Sequence, residues 1–369
     1  MDEIQSYTFI ESSKVENTEK KFTNENKPIG LKKIDKIIYI NPVLQLIGGI
    51  QPLYKYFTIN KDINNKNSLS FETKELFNHL YNDEKTKLLG FFDTSNYIKT
   101  LKLLNIMIEK ELINPCDILI LILDILHEEN ESDKSEYLEI KQNRYNTQNL
   151  NEVINKEIKY IKKKNRSIIK DCLNYIQIQT LKCSKTNTQF FRLKNFFTFN
   201  ISICDVHQNR ISLNNNSILT IQDCIESIMR KNNFSIQFYC EVCQAYHESK
   251  EVLYEFYEIG EKFIILLDKC IHSSTYVTNV NIALEIQEKI DLGNYMTNKN
   301  KGSIYTLTGI VSYVPSNKNF VCFSKSFLDN EWYLYTDENV EKYEIKKILE
   351  HNSKDVYIPC ILLYSKKGL

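Results

Sequence analysis

Gly30-Leu31-Lys32-Lys33-Ile34-Asp35-Lys36-Ile37-Ile38-Tyr39-Ile40-Asn41-Pro42-Val43-Leu44-Gln45 is where this chain changes character. The 29 residues before it are polar, mixed in charge and without a sustained period, so residues 1–29 read as a flexible tail. From Leu31 apolar side chains dominate, and Tyr39 to Phe57 reads as a helix followed by a short connection at Gly48-Gly49. Further helices are expected over Asn96–Glu109 and over Cys116–His127, the second aliphatic enough to be a central buried helix. Beyond Tyr175 the pattern shifts to short β-rich runs. Strands are expected at Ile176–Leu181, Phe190–Ile203, Phe234–Cys240, Val252–Tyr257 and Phe263–Leu267, with an amphipathic helix at Ile218–Met229. More strands follow at Leu307–Val314, Phe320–Phe323, Trp332–Tyr335 and Tyr357–Tyr364. Helices first and a strand-rich half afterwards indicate an α+β protein.

The 369 residues are enough for one large domain or two ordinary ones, and 42% hydrophobic with 25% charged residues is a globular composition. Forty-seven basic residues balance 47 acidic ones, which argues against binding nucleic acid through bulk positive charge. The longest apolar run, Ile118 to Leu126, is too short to span a bilayer and contains Asp124. No apolar signal segment follows Met1-Asp2-Glu3. Ten cysteines without the spacing of a disulfide framework suit a reducing compartment, so an intracellular site, cytoplasm or nucleus, is expected. Residues 128–170, rich in Glu, Lys, Asn and Ser, read as a charged surface insertion. Its run Lys162-Lys163-Lys164 is solvated charge rather than a docking patch on this reading.

The quoted stretch resembles the opening box of the ubiquitin-specific proteases, Gly-Leu-x-Asn-Leu-Gly-Asn-Thr-Cys-Tyr-Met-Asn-Ser-x-Leu-Gln. Pro52-Leu53 and Tyr56-Phe57 extend the likeness. Asn114-Pro115-Cys116-Asp117-Ile118, running to Leu123-Asp124-Ile125-Leu126-His127, resembles the family's Gln-Asp-Ala-x-Glu-Phe-Leu helix with its Leu-Asp-x-Leu-His ending. Cys183, the run from Phe190 and Cys240-Glu241-Val242-Cys243 are similar to the finger segment. Tyr305-Thr306-Leu307, Trp332 to Val340 and Cys360 to Tyr364 are similar to the closing boxes. The resemblance covers residues 30–366, with fingers over about 175–260. It implies a papain-like cysteine-protease fold with thumb, palm and fingers, gripping ubiquitin and cutting after its C-terminal glycine. Such chemistry needs a thiolate, a histidine to deprotonate it, an orienting Asp or Asn, and oxyanion donors.

This chain departs from the family at each of those positions. Ile38 stands at the nucleophile, Asn319 at the histidine, Thr336 at the orienting acid with Asp337 retained beside it, and Lys33 at the oxyanion asparagine. Tyr313 falls where a second histidine is usual. None of the six histidines lies in the strand pair that should carry the base, and His351 falls in a segment that reads as a loop. A catalytically inactive homologue of a cysteine-type deubiquitinase is therefore expected. No cofactor is expected in the cleft.

Zinc in the fingers is a separate question, since the family often binds it with two Cys-x-x-Cys pairs. Here Cys240 and Cys243 are intact while the first pair is Cys183 with Thr186, leaving His247 as a candidate fourth ligand. The alternative is a decayed site with buried thiols. Where the family holds the ubiquitin tail with carboxylates, this chain has Asn114 and Asp117, Asp117 being equally readable as a helix N-terminal acid. The partners expected are ubiquitin or a ubiquitin-like protein, or proteins of a larger complex, with no membrane and no direct nucleic-acid contact. Two further alternatives stay open. One is a scaffold in pre-mRNA splicing, because the opening box is also similar to that of the family's inactive tri-snRNP factor, which lacks the cysteine. The other is a residual deubiquitinase.

Overall fold

Folding of the domain begins one residue before the quoted stretch. Ile29 is 3% exposed, and its carbonyl accepts a hydrogen bond from Gln45 Nε2 at 2.9 Å, so the expected tail is too long at its C-terminal end. The structure is a computed structural model that describes residues 28–366 except 35–36, 61, 82, 105–113, 133–149, 164–165, 213–217, 231–235, 241, 250–251, 269, 273–276, 280–281, 300–302 and 354–355. Residues 1–27 of the expected tail, and residues 133–149 and 164–165 of the expected insertion, lie outside the described residues.

A short parallel pair, β1 (Gly30–Leu31) with β2 (Phe91–Phe92), frames the first helical layer. Within it α1 (Ile40–Gly48) is buried at all nine positions. Pro42 sits in its first turn, where a missing N–H costs nothing because the first four amides have no helical acceptor. The single expected helix over Tyr39–Phe57 is two. Ile50 is extended, with φ −89° and ψ 91°, and Pro52 opens α2 (Gln51–Ile59). Next come α3 (Leu69–Tyr81), α4 (Glu84–Leu89) and α5 (Ser95–Leu104). The expected helix over Asn96–Glu109 is described only as far as Leu104. Nothing in the reading of the sequence assigns 69–81, although Leu69, Thr73, Leu76, Phe77 and Leu80 form one buried stripe at helical spacing. The central helix is α6 (Pro115–Glu129), which turns Ile118, Leu119, Ile122, Leu123 and Leu126 inward, as its aliphatic run implies.

The expected insertion is not merely solvated. Within it α7 (Leu150–Lys163) buries Ile154, Ile158 and Ile161, an i, i+4, i+7 stripe, on Ile176 and Ile178 of β3 (Tyr175–Lys182). Lys162 pairs with Glu258. After α7 come α8 (Ile168–Leu173) and the finger strands. The expected strand over Phe190–Ile203 is two strands in different sheets. β4 (Gln189–Phe196) pairs with β3, and β5 (Thr198–Ser202) joins the main sheet instead. Ile203 starts a helix, α9 (Ile203–Ser212). With β6 (Leu219–Thr220) and α10 (Ile221–Met229), whose Thr220–Asp223 capping box closes its first turn, it interrupts the expected finger range. The fingers proper are the sheet β4-β3-β9, with β9 at Val252–Ile259, and the hairpin of β7 (Ile236–Cys240) and β8 (Ala245–Ser249).

From β10 (Lys262–Asp268) the chain builds the main sheet. β11 (Cys270–His272) and β12 (Val277–Asn279) form a side hairpin, and β13 (Leu284–Glu285) pairs with β6. β14 (Lys289–Asp291), β15 (Ile304–Val314), β16 (Asn319–Lys325), β17 (Trp332–Thr336) and β18 (Asn339–Lys342) follow, then α11 (Ile345–Ser353) and β19 (Ile358–Lys366). His351 is thus on a helix, not a loop. The sheet runs β18-β17-β16-β15-β19-β10-β5, with β14 on β15. Period-two alternation sends Ile264, Leu266, Ile361 and Leu363 to the core shared with α1 and α6. Ile265, Leu267, Leu362 and Tyr364 face a second core with α10. Strands buried on both faces explain the unbroken apolar runs at both places. Among the described residues no helix is long and apolar enough to cross a membrane.

Candidate functional site

The head of α1, the start of β16 and the β17–β18 turn meet around one buried amide. Asn41, 3% exposed, donates through Nδ2 to the Lys32 carbonyl and to Asp337 Oδ1, each at 2.9 Å. Its Oδ1 accepts from Thr94 Oγ1 at 3.3 Å. Asp337 has φ 51°, a left-handed value that Asp tolerates better than most residues. Its Oδ2 accepts from Asn319 Nδ2 at 3.5 Å, and Asn319 Oδ1 accepts from the Phe320 amide at 2.9 Å. Asp337, and not Thr336, therefore stands beside Asn319, while Thr336 closes β17 opposite Asn339. Tyr313 lies across from Phe320, ring centroids 5.1 Å apart.

β1 is pressed onto the same turn. The Leu31 amide donates to the Asp337 carbonyl at 2.8 Å and the Lys33 amide to Glu338 Oε1 at 3.2 Å. A Cβ on Gly30 would lie 2.3 Å from the Glu338 carbonyl oxygen, so only glycine fits. Lys33 is exposed, and the neighbouring Lys32 reaches Asp93 at 2.8 Å. That hydrogen bond from Lys32, helped by Ser95, lowers the Asp93 carboxyl to about 2. Ile38 occupies the turn into α1, partly buried, with a hydrocarbon side chain. The cluster thus offers carboxamides, carboxylates and a peptide edge. A carboxamide neither gains nor loses a proton near neutral pH, and Ile38 has no lone pair. Two histidines bond elsewhere: His79 Nδ1 to Asp83 and Thr86, and His127 Nδ1 to Ser167. Cys322 on β16 is a core residue whose thiol burial drives well above its ordinary value.

The family model for ubiquitin carboxyl-terminal hydrolase matches residues 29–364. The chain belongs to that family. A search of curated proteins gives no match in sequence. Among solved structures the chain is similar to the SAGA DUB module of Ubp8, Sgf11, Sus1 and Sgf73 bound to monoubiquitin. The TM-score is 0.67 at 12% identity, over 94% of this chain and 70% of that one. At that identity the likeness speaks for the fold, the α+β, papain-like arrangement of the ubiquitin-specific proteases.

The two positions expected at the ubiquitin tail lie at the head of α6. Asn114 is its N-cap, and Oδ1 accepts from the amides of Cys116 and Asp117 at 2.8 and 3.0 Å. That oxygen is committed to the helix. Asp117 keeps an exposed carboxylate beside the positive end of the helix.

The finger cluster is assembled from two hairpin ends. Cys183 lies in the β3–β4 turn, Cys240 ends β7, Cys243 lies in the β7–β8 turn and His247 sits on β8 opposite Phe238. Their ligand atoms all fall within 4.8 Å of one another. Tetrahedral coordination with metal–sulfur bonds of about 2.3 Å sets sulfur–sulfur edges of about 3.8 Å, and Cys183 and Cys243 are 3.8 Å apart. His247 Nε2 is buried without a partner among the described residues, an orphan that a cation would satisfy. Burial works to raise the Cys183 thiol, but hydrogen bonds from Thr186, Lys185 and Cys240 outweigh it and bring it down to about 6. Burial and the two neighbouring thiols push Cys243 up to about 11. The donor set fits zinc, with His247 and not Thr186 as the fourth member.

Asn41, Thr94 and Glu338 are site residues that reading the sequence does not single out. Asn41 had a signal, being a matched letter of the opening box, whereas Thr94 and Glu338 are brought in by tertiary contact alone.

Proposed function

We propose that this chain is a pseudo-deubiquitinase, a non-catalytic member of its family that binds ubiquitin or a protein partner in the ubiquitin pathway. One observation carries the reading: hydrocarbon at Ile38 where the family attacks, with the amide of Asn319 in place of an imidazole on Asp337. Removing one member of a protease triad leaves only about 10³–10⁴-fold catalysis over water, from binding and the oxyanion hole. Here nucleophile and base are both replaced, and Lys33 replaces the oxyanion amide. Support for binding comes from the fold, since the similar SAGA module is bound to monoubiquitin in its structure. Turnover of a ubiquitin C-terminal fluorogenic substrate should equal that of heat-killed protein, and any excess overturns the non-catalytic reading. Titration of isotope-labelled ubiquitin should shift its tail and apolar-patch resonances and saturate in the micromolar range. No shift at several hundred micromolar would turn the reading to a scaffold within a larger complex, with splicing proteins the first to look for.

The same reading includes a structural zinc held by Cys183, Cys240, Cys243 and His247. When bound, it supplies folding free energy to the fingertip and no reaction chemistry. Cys183, Cys240 and Cys243 would hold it as thiolates, their protons released to solvent, and His247 through a neutral nitrogen. Elemental analysis of purified protein should find about one equivalent, and less than about 0.1 would end this part of the reading.

A further inference from the structure

Outside the finger cluster the cysteines whose side chains are described divide into two kinds. Cys172, Cys204, Cys224 and Cys322 are buried in the cores, whereas Cys116 and Cys360 are partly exposed and meet across 244 residues of chain. Cys116 lies in the first turn of α6, and its Sγ donates to the Cys360 carbonyl at 3.5 Å. Cys360 lies in β19 and its Sγ donates to the Val311 carbonyl at 3.2 Å. The two thiols are close enough to act on each other electrostatically. Both backbones are held in place. α6 is pinned by its Asn114 cap and five inward aliphatics, and β19 is held between β15 and β10.

We propose that Cys116 and Cys360 are a redox modification site, forming a disulfide that ties the first turn of α6 to the main sheet. The co-reactant is a disulfide oxidant of the glutathione class. The thiolate of Cys116 attacks one sulfur of oxidised glutathione, forming a mixed disulfide and releasing one glutathione thiolate, which takes up the proton Cys116 has lost. Cys360 then gives up its proton and attacks Cys116 Sγ, displacing the second glutathione, which takes that proton. Two thiols are oxidised by two electrons and one glutathione disulfide is reduced to two thiols. Burial and the neighbouring Cys116 hold the Cys360 thiol well above its ordinary value, which suits Cys116 as first attacker and Cys360 as resolver. The bond would fix the turn bearing Asn114 and Asp117, whatever that surface binds.

The test uses the full chain, freed of reductant, exposed to oxidised glutathione, alkylated and mapped without reduction. A cross-linked peptide pair containing Cys116 and Cys360, about 2 Da lighter than the sum of its thiol forms and reversed by reductant, is the expected result. In Cys360→Ser, glutathione should remain on Cys116 because the resolver is gone. If that variant does not fold, Cys360→Ala serves the same purpose, and the mapping of the unsubstituted chain stands alone. Recovery of both residues alkylated, or of Cys116 joined only to glutathione in the unsubstituted chain, overturns the proposal. None of these readouts depends on ubiquitin binding or zinc.

Discussion

Replacing Gly30 by alanine should force β1 away from the β17–β18 turn. The added Cβ would sit 2.3 Å from the Glu338 oxygen, 2.5 Å from its carbonyl carbon and 2.7 Å from the Asp337 oxygen. All three are backbone atoms, so no rotamer change relieves the overlap, and the turn must retreat by about 1 Å to reach ordinary contact. Retreat strains or breaks the Leu31–Asp337 and Lys33–Glu338 hydrogen bonds, at about 1 kcal/mol each. Overpacking adds about 1–3 kcal/mol. The total of about 3–5 kcal/mol corresponds to a Tm lowered by about 4–7 °C in a domain of this size. Thermal unfolding followed by circular dichroism measures it, with Gly90→Ala as the comparison. Gly90 has φ +81° and open space around its Cβ position, so alanine there costs only left-handed strain, about 1–2 kcal/mol. A Gly30→Ala shift no larger than that of Gly90→Ala would refute the close-approach argument.

Ile158→Asp should free α7 from the finger sheet, because Ile158 is 2% exposed against Ile176 and Ile178. An unpaired buried carboxylate costs several kcal/mol, so limited proteolysis within 150–163 should speed up at least tenfold, and unchanged protection contradicts the packing. Asn114→Ala removes the α6 cap and should cost about 1 kcal/mol, seen as a lower denaturation midpoint; no change would show that the cap is redundant. Burial, and then the Lys170 ammonium, lower the His127 pKa. The unfolded chain therefore binds more protons than the folded one as pH falls below the ordinary histidine value of 6.5. Stability is fully present above that value and is lost as pH falls towards the lowered folded pKa. Chemical denaturation at about pH 7.5 and about pH 5.5 should show a drop that His127→Gln reduces, and an equal drop in the variant contradicts it.

Much of the fold is legible because its signals are local. The aliphatic run of α6, the apolar run of β10 and the boxes around α1 announce buried elements without reference to anything distant. α3 had a comparable signal in Leu69, Thr73, Leu76, Phe77 and Leu80, diluted by the Glu and Lys of its exposed face. The run from Phe190 was misleading for another reason: Phe196, Phe197 and Phe199 carry the apolar pattern across from β4 into β5, yet the two strands belong to different sheets. Period alone cannot show a change of pairing partner. Likewise α7 reads as charge until Ile154, Ile158 and Ile161 find β3.

At the site, residue identity alone establishes that Ile38 cannot attack and Asn319 cannot accept a proton, since those are properties of the side chains themselves. Which acid faces Asn319 is a different kind of fact. Thr336 and Asp337 are neighbours in the chain, and the left-handed backbone at Asp337 turns its carboxylate to Asn41 and Asn319. Adjacent letters in a turn point in different directions, so only the folded backbone decides between them. The finger cluster and the Cys116–Cys360 contact follow the same logic. Cysteine and histidine are visible as possible ligands and thiols anywhere in the chain, but reach is a matter of a few ångströms. Strand pairing and helix docking supply that reach over separations of 60 and 244 residues.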